Sequence, residues 1–105
     1  MYTKYEVDVY NLRNILREDR GYYLKILDDV RALHEEAAAE AWAIDETPDA
    51  PLDVWQKAWD KADTLYADIR RLEDVIEAID EALDHASTLL EALETIDANA
   101  KNEAR

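Results

Sequence analysis

The stretch Trp55–Leu93, WQKAWDKADTLYADIRRLEDVIEAIDEALDHASTLLEAL, carries the strongest pattern in the 105 residues. Within it Trp55, Ala58, Ala62, Leu65, Ile69, Leu72, Ile76, Ile79, Leu83, Ala86, Leu90 and Leu93 recur at alternating spacings of three and four. Side chains so spaced fall on one side of an α-helix, whereas a strand would alternate every second residue. The stripe persists for more than five heptads and stops where Asp97 takes an apolar position. It predicts a helix over about 52–97, with residues 98–105 as a fraying tail.

Immediately upstream, residues 45–51 hold both prolines and three acids, and read as a loop. Proline has no N–H to lose at a first helical position, so Pro48 or Pro51 marks a helix start between residues 48 and 52. Before the loop a second stripe passes through Tyr5, Val9, Leu12, Leu16, Asp19, Tyr23, Ile26, Val30, Leu33, Ala37 and then Ala41 or Ile44, predicting a helix over about 3–44. Gly21, the sole glycine, interrupts it without a change of phase. One glycine costs only about 1 kcal/mol inside a helix, which favours one long helix over a break closed by Gly21 in the left-handed conformation. Composition agrees, since 17 Ala, 12 Leu and 12 Glu lose little rotamer freedom in helices. One Gly and two Pro cannot supply the turns of a β-rich fold. The expected architecture is all-α, a single helical domain over residues 1–105 in which two long helices fold back as an antiparallel hairpin.

Such a hairpin brings Trp42 and Ile44 near Trp55 and Trp59 and sets Tyr5 against Leu93. The three tryptophans then read as the core of the hairpin's loop end rather than as a binding patch. The stripe is wider than one seam needs: Val54, Val75, Ala82, Leu89 and Ile96 add a flanking column to the second helix, and Ile15, Tyr22 and Leu27 do so on the first. Val75, Ala82, Leu89 and Ile96 are therefore the candidate dimer or partner contact. A homodimeric four-helix bundle is the first expectation, ahead of a third helix made by a break at Gly21 or a foreign partner.

The charge of −14 is lopsided. Residues 1–31 are neutral and residues 57–71 carry +1, whereas residues 32–56 carry −7 and residues 72–100 carry −9 with no Lys or Arg in either block. Direct binding of nucleic acid or an anionic membrane is disfavoured, because both need clusters of basic residues. Arg13, Arg17 and Arg20 are expected across from residues 77–84, neutralising part of the second block. The candidate partner-binding face is Glu73, Asp74, Glu77, Asp80, Glu81, Asp84, Glu91 and Glu94, with Glu35, Glu36 and Glu40 from the first block. Two readings stand: a solvated face that keeps the chain in solution, or a mimic of nucleic acid that fills the phosphate-binding groove of a basic protein. Nine acids over about 43 Å of helix give one per about 5 Å, sparser than the phosphates of a duplex at one per about 1.7 Å. In general character the chain resembles the small acidic inhibitors that phages make against restriction and CRISPR nucleases, with no shared motif.

Catalytic signals are thin. Glu77-x-x-Asp80 resembles half of the Mg²⁺ site of all-α nucleotide pyrophosphatases of the MazG kind, but the companion Glu-x-x-Glu is absent. The Glu-x-x-His pair of a di-iron bundle also fails, with Arg31 before His34 and Ala82 before His85. There is no Cys, one Ser at position 87 and no Gly-rich loop, so nucleophilic catalysis has nothing to build on. The hairpin shape is similar to that of the secreted Trp-x-Gly family, although Trp42-Ala43-Ile44 lacks the glycine. Absent cysteines, and a start broken by Lys4, Glu6 and Asp8, fit a cytoplasmic protein. The expectation is a non-catalytic, acidic protein-binding module without metal or cofactor. Its partner would be a basic protein such as a nucleic-acid-binding nuclease complex. The alternatives are an assembly protein that binds through its apolar stripe and, third, the Mg²⁺-dependent pyrophosphatase.

Overall fold

A computed structural model describes residues 4–103. It contains two helices, α1 over Lys4–Asp45 and α2 over Leu52–Glu103, which pack against each other as an all-α hairpin. Helix α1 runs unbroken through Gly21, whose φ is not positive and whose surroundings hold no atom within 4 Å of an added Cβ. The left-handed break is thus excluded. Helix α2 passes Asp97 and continues to Glu103, so most of the tail expected over 98–105 is helical; Asp97 is half-buried and its carboxylate meets Lys101 one turn on at 3.3 Å.

The loop follows from its residues. Thr47 donates its hydroxyl to the carbonyl of Ala43 at 2.9 Å, and the amides of Glu46 and Thr47 bond to Trp42 and Ile44, which satisfies carbonyls left open at the end of α1. Pro51 donates no hydrogen bond, but its carbonyl accepts the amide of Trp55 at 3.1 Å and opens α2. Asp45 carries negative charge at the C-terminal end of α1, where no basic side chain lies in the last turn, and it accepts the indole N–H of Trp55.

The chain groups into two compact units, residues up to Tyr22 with those from Ile76 onward, and Tyr23–Val75. In the first, Tyr10 donates to Glu94 at 3.1 Å and Arg20 Nε donates to Asp80 at 2.6 Å, with Glu6, Ile76, Ile79, Ala86 and Leu90 buried. In the second, Arg31 lies 3.9 Å from Glu73 and His34 packs on Tyr66 with ring centroids 5.9 Å apart. Trp42 meets Trp59 edge to face at 5.3 Å, and Leu27, Ala37, Ala41, Ala62 and Ile69 are buried. In both units partner numbers fall on α2 as they rise on α1, which is the antiparallel register. Trp59 is half-buried, but Trp42 and Trp55 remain exposed, so the expected aromatic core at the loop end is only partly closed.

The seam on α2 is the expected stripe. On α1 it is not. The column Val9, Leu16, Tyr23, Val30, Ala37 and Ile44 faces α2 as expected, but its companion is Glu6, Arg13, Arg20, Leu27, His34 and Ala41. Tyr5, Leu12, Asp19 and Leu33, read as seam residues, point to solvent, with Tyr5 72% and Leu33 51% exposed; Leu27, read as flanking, is buried. The two sides also differ in charge. The rejected column carries Asp19 and, one heptad beyond Leu33, Glu40, which would meet an α2 rich in acids. The chosen side sets Arg20 and Arg31 beside Asp80 and Glu73. Each such exposed pair is worth only about 0–1 kcal/mol, but like charges in their place would be destabilising.

Candidate acidic interface

Helix α2 builds the acidic face from its own periodicity. At 100° per residue, Glu77, Glu81, Asp84 and Glu91 fall at offsets of four, seven and fourteen and share one side. All four are exposed, with no ion partner among the described residues. Asp80 and Glu94 stand at the inner edge of that side, where Arg20 and Tyr10 hold them. The expectation that arginines of the first helix neutralise part of this block is met at Arg20. Arg13 makes no ion pair among the described residues; its guanidinium lies 4.9 Å from the ring centroid of Tyr10.

In the Tyr23–Val75 unit, Glu73 is engaged by Arg31 and Asp74 is exposed. Glu35, Glu36 and Glu40 are exposed on α1, but they do not form one surface. Glu35 lies about 140° round the helix from Glu40, whereas Glu36 lies within about 40° of it. Glu40 continues the column of Ile26 and Leu33. The first acidic block is therefore divided between two sides of α1.

The flanking apolar positions are mostly open. Val75, Leu89 and Ile96 are exposed and Ala82 is half-buried. In the unit that ends at Val75, Ile26, Val30, Asp68, Arg71, Leu72 and Val75 line one shallow groove. No signal in α1 alone marks this groove, because it exists only once the seam has turned away from Ile26 and Leu33.

Glu77 is exposed and Asp80 is committed to Arg20, so the pair does not present a shared cation site. Among the described residues no three His, Asp or Glu side chains gather as metal ligands. No helix among them is long and apolar enough to cross a membrane. No family model, curated protein or solved structure matches the chain.

Proposed function

We propose that the chain is a non-catalytic protein-binding module whose α2 acids occupy a basic, nucleic-acid-binding surface of a partner and block it. One observation supports the reading: Glu77, Glu81, Asp84 and Glu91 share a side of α2, are exposed, and are left uncompensated while their neighbours Asp80 and Glu94 are used internally. Carboxylates in a row attract a groove evolved for phosphates, and such attraction weakens as salt rises.

The test is to isolate the partner on immobilised chain and measure its affinity across a salt series, with duplex DNA as competitor. Neutralising Glu77, Glu81, Asp84 and Glu91 to Gln or Asn is expected to weaken binding at least about tenfold and to flatten the salt dependence. Unchanged affinity and salt slope in that variant would sink the mimicry. These four positions are chosen over Glu73 and Asp80, whose loss would also remove contacts with Arg31 and Arg20.

A second reading, an assembly protein that binds through apolar contacts, is favoured by the exposed Leu89 and Ile96. It calls for weak salt dependence and a large loss of partner affinity in Leu89→Asp.

A further inference from the structure

We propose that the loop end of the hairpin receives a basic segment of a partner protein, one of whose lysine or arginine side chains enters a pocket that Trp55 and Asp45 share. The pocket lies where α1 gives way to α2 and is lined by Ile44, Asp45, Thr47, Ala50, Leu52 and Trp55. Its walls are mainly apolar, with one carboxylate among them. An aliphatic stem with a cation at its tip matches both features.

The aromatic surface at this end is only partly used by the fold. The indole N–H of Trp55 donates to Asp45 Oδ1, which fixes the ring, yet the ring stays exposed. The second carboxylate oxygen of Asp45 has no partner among the described residues. A cation over an indole face is attracted by the ring quadrupole, and a carboxylate beside it accepts a charge-assisted hydrogen bond. Trp55 and Trp59 are one turn apart on α2, and Trp42 meets Trp59, so the apolar surface runs on from the pocket to Trp42, which is 59% exposed. Leu52 at the pocket's rim is 69% exposed. That surface is wider than one side chain covers, which favours a peptide segment over a free amine.

Charge selects the occupant. The C-terminal end of a helix carries partial negative charge, and α1 ends on Asp45, followed by Glu46 and Asp49, with no base in its last turn. The positive end of α2 already has Asp53 in its first turn. The nearest bases, Lys57 and Lys61, stand about 160° and 120° round α2 from Trp55, on a side that also carries Asp53 and Asp60. They leave Asp45, Glu46 and Asp49 uncompensated. All three are exposed and make no ion pair among the described residues. An acidic partner is repelled by this end, and an apolar one would strip water from carboxylates without replacing it. A basic segment satisfies the carboxylates and covers the tryptophans together. The inference does not depend on what the acidic side of α2 binds.

The experiment titrates the full chain with a short capped peptide of alternating arginine and leucine, following affinity by calorimetry and the indole N–H resonances by NMR. The Trp55 resonance is expected to shift most, and a peptide with glutamine in place of arginine should shift none. Asp45→Asn keeps an acceptor for the indole and removes the charge, and should raise the dissociation constant about fivefold or more. Glu18→Gln removes the same charge from an exposed site elsewhere on α1 and should leave the constant within about twofold. Trp55→Leu keeps the pocket apolar and removes the ring face, and should weaken binding about threefold. Equal losses in Asp45→Asn and Glu18→Gln would mean that the peptide answers only the net charge of −14, which overturns the proposal. So would a Trp55 resonance that stays in place while another indole shifts, or the absence of saturable binding. A dimer of the free chain that Asp45→Asn dissociates would assign the pocket to a second copy and overturn it as well.

Discussion

Arg13 occupies a seam position of α1 with its Nε buried and without a hydrogen-bond partner among the described residues. The nearby Tyr10 ring compensates the guanidinium in part, since an exposed cation over an aromatic face gains about 0.5–1 kcal/mol. An unsatisfied buried donor costs more, about 1–3 kcal/mol. Arg13→Leu is therefore expected to stabilise the fold by about 1 kcal/mol, read as a higher midpoint in urea at unchanged slope. A lower midpoint would show that Arg13 is paired in solution. Trp59 has a similarly buried, unpartnered Nε1, although its ring meets Trp42 edge to face. Among the described residues these are the two buried side-chain donors without a hydrogen-bond partner.

At the scale of the element, Gly21 is an exposed residue inside an unbroken helix, in ordinary helical conformation, with open space where a Cβ would stand. Nothing in the packing requires glycine. Gly21→Ala should raise stability by about 1 kcal/mol through the helix interior and the less flexible unfolded chain, and thermal unfolding followed by circular dichroism would read it. A destabilised variant would mean that α1 bends at this point in solution. The helices themselves were legible in the sequence because a period of three and four residues is a property of one chain segment. The α2 seam was legible for the same reason: its two columns stay apolar in every heptad, whereas the flanking column of Val54, Val75, Ala82, Leu89 and Ile96 is interrupted by Lys61 and Asp68. On α1 the column through Val9, Leu16 and Tyr23 has an apolar neighbour on each side, and hydrophobicity could not choose between Leu12 with Ile26 and Leu27 with Ala41. The charges of the other helix agree with the side taken. They act across the hairpin, where no periodicity within α1 reports them.

For the molecule as a whole, a charge of −14 on 105 residues is a self-repulsion that folding concentrates. The ion pairs that salt would weaken are exposed and few among the described residues, Arg20 with Asp80 being the shortest. Raising ionic strength from about 0.01 M to about 0.15 M shortens the screening length from about 30 Å to about 8 Å, which relieves repulsion more than it weakens close contacts. The melting temperature should therefore rise with salt, measured at one fixed protein concentration. A fall would show that the attractive pairs dominate. The acidic site was visible as two blocks of sequence, but its division was not. Whether Asp80 is free for a partner or Glu36 is separated from Glu35 depends on how the seam rotates each helix.

The seven-residue columns of the two helices run past one another with their levels matched, Arg31 with Glu73 and Trp42 with Trp59. It follows that the length of this protein can change only in steps. Excising seven residues from α1 together with the seven that face them on α2 would bring every remaining side chain back to its own side, the acids outward and the alanines inward. Excising five would turn the seam of each helix toward water.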